Sequence, residues 1–391
     1  MGLRFPRTKE RRRRNSARNL KIWCDVFDRV FARFRRCLLV ASKLELFGSF
    51  ANTFTIANSD IDCCVTDTNC TSEEIQQSGF PEQLQNELDE RGITYPLHNS
   101  NLGFETTLLP LTRIPILKVF RPATSPENPS TGKIYNYPLH CDIGWQNRLA
   151  VHNTRLLKTY SNLDPRLRQM ARFVKYWTKT RLIARPYRGT LCSYGYVLMI
   201  LHYFINIAQP PILPNLQCMP HHGFARLEDL ECEGCNIYFS PDGNGWKSLN
   251  TQRLGELLKG FFNYFAFEWH WKNDVISVRS PNGILTKESK GWTTLAESTG
   301  SQAQTIKSRY LIAIEDPFEI SHNVARTVNK QGRVDVREEF QRAAKMLNSV
   351  HGRKRWLGDV CNERVVPHTV VYHGETTTEG VAHGEPKKVS S

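Results

Sequence analysis

The chain has no apolar run long enough to cross a bilayer. Its longest, Tyr194 to Ala208, is broken by His202 and Asn206 and falls short of the roughly 20 residues that a spanning helix needs. A secretory leader is missing too. The eleven cysteines are odd in number and scattered through apolar surroundings such as Cys63 and Cys64. That usage excludes a disulfide-stapled secreted scaffold and fits reduced thiols in an intracellular protein without a membrane partner. The cytoplasm is the expected compartment and the nucleus the alternative. No internal repeat is present, which excludes a solenoid. Acidic residues are scarce in the first 20 positions, where eight Lys or Arg face Glu10 alone, so half of the net charge of +14 lies there. The run Arg11 to Arg14 reads as a nuclear address, a polyanion-holding arm or a solvated tail, and composition does not choose among them.

What is abundant is core material. Hydrophobic residues make up 40% of the 391, with eight Trp, thirteen Tyr and twenty Phe, enough for two well-packed domains. After a basic tail (1–19), Ile22, Val26, Val30, Phe31 and Phe34 recur at helical spacing and predict a helix over Leu20 to Arg36, packing on the second domain. Extended runs follow at Lys43 to Phe47, Ile61 to Val65 and Ile114 to Val119, with a helical stretch near Glu73 to Arg91, so residues 37–150 read as a small α/β domain. A turn-rich stretch, Pro122 to Pro138, leads into a strand carrying Asp142. Residues 151–350 read as mostly helical, with helices at Asn153 to Tyr160, Pro165 to Thr180, Ser193 to Ala208, Leu254 to Phe267 and Val336 to Ser349. The remainder, 351–391, reads as a largely disordered tail.

The chemistry concentrates in Phe47-Gly48-Ser49-Phe50 and Ser59-Asp60-Ile61-Asp62. Side chains at i and i+2 of a strand leave the same face, so Asp60 and Asp62 present two carboxylates side by side. Two such anions repel unless a cation lies between them, and an oxygen-only donor set suits Mg²⁺. Asp142, on a later extended segment, is the third carboxylate that a two-metal transfer of a nucleotidyl group needs. Gly48 and Ser49 form a tight turn whose N–H groups can approach a triphosphate. Lys175 and Lys179 are four apart on one helix and share a face. Ser193 stands where a helix begins, and Tyr194 offers a flat face to a base or simply fills core.

Together these blocks, with DIGWQNRLAVHNTRLL (142–157), YRGTLCSYGYVLMIL (187–201) and IAIEDPFEISHNVARTV (312–328), resemble the nucleotidyltransferases of the DNA-polymerase-β superfamily. The closer resemblance is to noncanonical poly(A) polymerases and Cid-type terminal uridylyltransferases. It spans about Leu44 to Ser349. It implies an α+β, two-domain protein: a catalytic domain with a five-stranded mixed sheet, a helical central (PAP-associated) domain, and the nucleotide in the cleft between them. Under it, Asp60, Asp62 and Asp142 hold Mg²⁺ or Mn²⁺ and are catalytic. Gly48, Ser49, Asn147, Asn153 and Thr154 lie at the nucleotide, the last three at its ribose and base. Lys175, Lys179, Ser193 and Tyr194 hold the triphosphate and stack on the base, and Asp316, Glu319 and His322 form the base-reading loop. A histidine at the place of His322 goes with UTP over ATP, and Arg326 lies near the acceptor RNA 3′ end, with Arg148 and Arg155 as further RNA candidates. The implied activity is template-independent UMP transfer to RNA 3′ ends, with a poly(A) polymerase and a catalytically silent RNA-binding protein as the alternatives. A monomer is expected, because nothing marks an oligomer seam. Cys218, His221, His222, Cys232 and Cys235 have zinc-like spacing, but Asn236 to Phe239 reads as a strand and a structural zinc is not expected.

Overall fold

The computed structural model describes residues 43–56, 59–67, 69–77, 79–91, 105–110, 114–121, 139–220, 230–280, 284–297, 304–307, 310–349 and 356–364. The helix read at Leu20 to Arg36, the Arg run, the stretch Pro122 to Pro138, His221 and His222, and the segment from Val366 lie outside these residues.

A five-stranded sheet organises the first unit. Its strands are β1 (Lys43–Phe47), β2 (Ile61–Thr66), β3 (Glu105–Leu109), β4 (Ile116–Arg121) and β5 (Leu139–Trp145), in the order β1-β2-β5-β4-β3. The β2–β5 pair is parallel and the others are antiparallel, so the sheet is mixed. Period-two alternation decides what each face carries. Ile61, Cys63 and Val65 of β2, with Cys141, Ile143 and Trp145 of β5, point into a buried cluster with Leu84 and Phe80. The residues between them, Asp62 and Asp142, therefore face the other way. Helices α1 (Gly48–Ala51), α2 (Ser72–Gln77) and α3 (Phe80–Arg91) complete this unit. The single helical stretch read near Glu73 to Arg91 is interrupted at Gly79, whose φ of 72° is left-handed and stops α2.

The second unit is helical: α4 (Arg148–Leu163), α5 (Pro165–Thr180), α6 (Ser193–His202), α7 (Leu254–Asn263), α8 (Lys330–Ser349) and α9 (Trp356–Val360). The start of α5 is encoded locally, since Asp164 caps Arg166 N–H and Pro165 occupies the first turn, where no N–H is needed. Helices α6 and α7 each continue into a wide π turn, at Tyr203–Ile207 and Tyr264–Glu268. Their common core is aromatic, with the Trp177 ring edge-on to Phe262 at 4.8 Å and to Phe340 at 5.2 Å. Glu339 of α8, nearly buried, is held by Arg181 at 2.8 Å and Arg342 at 2.9 Å, so its charge is compensated from two sides. Part of the segment read as a tail from residue 351 is helical: α9 and the residue after it pack on this core through Val360 and Cys361.

The Cys-x-x-Cys spacing has a backbone explanation. Cys232 and Cys235 are cross-strand partners of a two-residue hairpin, β6 (Glu231–Cys232) and β7 (Cys235–Asn236). Glu233 and Gly234 turn it with φ of 52° and 72°, the left-handed pair that a tight hairpin requires. The strand read at Asn236 to Phe239 contributes only Asn236 to this ladder. Cys218, upstream of the hairpin, is exposed and donates its thiol to Arg279 O at 3.3 Å, and His221 and His222 of the same set lie outside the described residues.

Candidate active site

One face of the sheet, at strands β2 and β5, and the α4–α6 helices meet at the carboxylates. Asp62 and Asp142 are direct register partners across the parallel β2–β5 pair, and Asp60, two residues before Asp62, lies exposed at the strand entry. Burial, then the charges of Asp142 and Asp60, push the Asp62 carboxyl up to about 7, while Lys175 and the Ser49 N–H pull against them. Asp142 is raised as well, by burial first and by Asp60, with Lys118 on neighbouring β4 opposing. Lys175 is the counterpart: burial lowers its ammonium to about 8 against the stabilising charges of Asp62 and Asp60. Three oxygen donors beside an open cavity fit Mg²⁺, which keeps several waters and completes its shell from substrate phosphates rather than from a closed protein cage. A cation there would relieve the repulsion that raises Asp62.

Gly48 makes room for this arrangement. Its φ is +67°, and a Cβ added there would stand 2.8 Å from Asp62 Cγ. Its N–H donates to Thr154 Oγ1 at 2.9 Å, and Thr154 in turn donates to Ala150 O at 2.8 Å. Thr154, expected at the ribose, thus uses its hydroxyl to pin the Gly-Ser turn to α4. A cavity of about 510 Å³ opens beside the turn, lined by Gly48, Ser49, Asp60, Asp62, Lys175, Lys179, Ser193 and Tyr194. Ser193 is the first residue of α6, not its cap, which is Cys192. The start of that helix and two lysines therefore converge where a polyphosphate would lie.

A second cavity of about 850 Å³ adjoins the first, and Ala150, Asn153 and Tyr194 line both. Asn147, Asp316, Glu319, His322 and Arg326 line only the larger one. Asp316 is buried and fully engaged: it accepts from Asn153 Nδ2 at 3.1 Å, Tyr194 Oη at 3.1 Å and the N–H groups of Phe318 and Glu319. These bonds orient Asn153 and Tyr194, and Asp316 itself lines the larger cavity. Asn153 Oδ1, by contrast, is buried with no partner, an acceptor open at the junction of the two cavities. His322 is half-buried on the loop closed by its own N–H to Glu319 O and by Asp316 N–H to His322 O, with its ring 3.5 Å from Arg326. Among the RNA candidates, Arg148 donates to Asp67 O and Gln146, and Arg155 pairs with Glu45 at 2.8 Å, so both brace the catalytic unit. Arg326 is exposed.

One positioning residue escaped sequence reasoning. Gln146 links β5 to α4 at φ 54°, a strained conformation for a residue with a Cβ. Its side chain accepts from Asp67 N–H and donates to the carbonyls of Asp67 and Cys70. It thereby holds the Asn69–Thr71 loop, which lines the larger cavity. No local signal marks such a residue, since its partners lie 79 and 76 positions away.

A Gly-Ser turn over carboxylates paired across a parallel strand pair, facing a lysine-lined cleft, is the working arrangement of a nucleotidyltransferase. Residues 253–322 match the Cid1 family poly A polymerase, and residues 2–162 match the central palm domain of the mitochondrial-like poly(A) RNA polymerases. The chain is 42% identical over 310 residues to the terminal uridylyltransferase cid1 of Schizosaccharomyces pombe, covering 79% of this chain and 69% of that protein. It is 32% identical to terminal uridylyltransferase 7 of Homo sapiens over 74% of this chain and 17% of that much longer protein. Among solved structures, one of Cid1 aligns with a TM-score of 0.71 at 36% identity, over 90% of this chain and 94% of that one. Cid1 with the UTP analog UMPNPP aligns at 0.68 and 35%, over 88% and 92%. The chain belongs to the Cid1 family of noncanonical poly(A) polymerases.

Proposed function

We propose that the chain transfers UMP from UTP to the 3′-hydroxyl of RNA. The observation that carries the reading is the pair of joined cavities: carboxylates and lysines surround one, the His322 loop closes the other, and Asn153 and Tyr194 stand between them. The relatives named terminal uridylyltransferase, and the Cid1 structures with a UTP analog and with the product ApU, support it. Cid1 has also been solved with Mg-bound nucleotide. Here Asp60, Asp62 and Asp142 would hold the divalent cations, Mg²⁺ or Mn²⁺, which when bound acidify the attacking hydroxyl and steady the pyrophosphate leaving group.

The other residues bind and orient. Lys175 and Lys179, with the start of α6, hold the triphosphate so that its α-phosphorus faces the carboxylates. Tyr194, its hydroxyl tied to Asp316, presents a fixed ring for a base to stack on, and Asn153 Oδ1 accepts from the nucleoside. His322 narrows the far wall, so that a purine meets the ring while uracil leaves room for a hydrogen bond.

The test is to incubate the purified protein with Mg²⁺, an oligoadenylate and each of the four NTPs in turn, with Asp60→Ala/Asp62→Ala as control. Extension with UTP above ATP, lost in the control, is expected. Extension with ATP alone would overturn the base assignment and keep the chemistry, and no extension with any NTP would overturn the transferase reading. His322→Ala is expected to move the UTP:ATP ratio of kcat/KM toward ATP by about tenfold, through loss of one pocket contact. An unchanged ratio would remove His322 from base selection.

A further inference from the structure

Beyond the rim of the base cavity lies an aromatic side chain for which the transfer reaction so far gives no use. The segment Arg185–Thr190 closes on itself. Arg188 and Thr190 N–H donate to Arg185 O at 2.9 and 3.3 Å, Gly189 N–H donates to Pro186 O at 3.0 Å, and Arg185 N–H donates to Thr190 Oγ1 at 2.7 Å. Gly189 ends the turn at φ 81°, and its carbonyl accepts Asn329 N–H at 3.0 Å, which ties the turn to the start of α8. Tyr187 stands at the apex, 90% exposed, the most exposed large hydrophobic side chain among the described residues.

A single exposed apolar residue is ordinary. Three features set this one apart. The turn beneath it is hydrogen-bonded within itself and to Asn329, so the backbone that presents the ring is braced. Arg185 and Arg188 flank it, both exposed, and neither forms an ion pair among the described residues. And its neighbour Pro186 lines the 850 Å³ cavity together with Arg326, so the platform is continuous with the mouth of the site. An exposed ring on a braced turn, with exposed arginines two residues before and one after it in the chain, matches single-stranded nucleic acid, whose bases all offer a π face and whose phosphates pair with arginine whatever the sequence. An acidic peptide would use the arginines and leave the ring without a partner.

We infer that Tyr187, with Arg185 and Arg188, is a stacking platform for the acceptor RNA, taking a base upstream of the 3′-terminal nucleotide. The inference rests on the reading that the chain acts on RNA 3′ ends. It gives the enzyme a sequence-independent grip on the strand outside the base-reading pocket, so that an acceptor long enough to reach Tyr187 binds better than one that is not.

The experiment compares the full chain with Tyr187→Ala and Tyr187→Trp, on a dinucleotide acceptor and on a longer oligoadenylate. Direct binding of fluorescently labelled oligoadenylate is read by anisotropy alongside KM and kcat. Tyr187→Ala is expected to weaken binding of the longer strand, and to raise its KM, by about tenfold, the value of one base–aromatic stack. The dinucleotide KM, the UTP KM and kcat stay at the parent's values, and Tyr187→Trp restores the longer strand. Unchanged binding of the longer strand, or an equal loss on both acceptors, would overturn the platform. Binding is read without catalysis: a chain that holds RNA through Tyr187 yet adds no nucleotide sinks the transferase reading alone, and a variant that binds and tails RNA normally sinks the platform alone.

Discussion

Asp62→Asn yields a folded protein whose UMP transfer falls by on the order of a thousandfold or more, and which, without divalent cation, is more stable than the parent above about pH 7. The two effects have one cause. Asp62 lies beside Asp142 across β2–β5, and burial with like charge raises its carboxyl from 3.8 to about 7. A carboxyl so raised binds more protons in the folded chain than in the unfolded one between those two values. Parent stability contributed by this group is therefore present at low pH, declines as pH climbs from about 4 to about 7, and is lost above that window. The amide of Asn fills the same space with no charge to desolvate, so its melting temperature lacks that component of the decline. Divalent cation reverses the order, since binding to the folded state alone stabilises it and the parent keeps the full carboxylate set. Thermal melts of both proteins across pH, with EDTA or with Mg²⁺, read the stability half, and oligoadenylate extension reads the activity half. Coincident pH profiles would mean that Asp62 is not the strained group, and retained activity would remove it from the catalytic set.

That Asp62 and Asp142 share a face was legible in the sequence, because a strand alternates its side chains and Ile61, Cys63 and Val65 are the apolar set that must turn inward. Helix α5 was legible to its ends, since Asp164, Pro165 and a regular apolar stripe fix it locally. Other elements depended on distant partners. Strand β3, Glu-Thr-Thr-Leu-Leu, has little apolar alternation of its own and exists because β4 pairs with it at the sheet edge. Asp316 matched the family position, yet its role as the buried anchor of Asn153 and Tyr194 arises from contacts across 163 and 122 residues. The same holds for Thr154, whose hydroxyl reaches Gly48 across 106 residues. The sequence thus showed which residues carry charge to the site, while the residues that aim them appeared only once the chain was folded.

Gly48→Ala is expected to cost on the order of a hundredfold in kcat with a loss of about 1–2 kcal/mol in stability. Two penalties meet at this position. The backbone is left-handed at φ +67°, where a Cβ crowds its own chain, and in addition the new methyl would overlap Asp62 Oδ2 and stand 2.8 Å from Asp62 Cγ. The turn cannot drift freely, because Gly48 N–H is pinned to Thr154 Oγ1 and Thr154 is buried on α4. Asp62 must then rotate from its place beside Asp142, and a misplacement of about 1 Å at a reacting centre is worth about a hundredfold in rate. Gly291→Ala separates the two penalties: Gly291 has φ +64° with nothing within 4 Å of an added Cβ. It carries the backbone strain without the overlap, so it loses comparable stability in urea or thermal unfolding and keeps its kcat for UTP. If both variants lose activity in proportion to their stability, backbone strain rather than displacement of the carboxylate governs the loss. If only Gly48→Ala does, the missing side chain at position 48 is the space that the Asp62 carboxylate occupies.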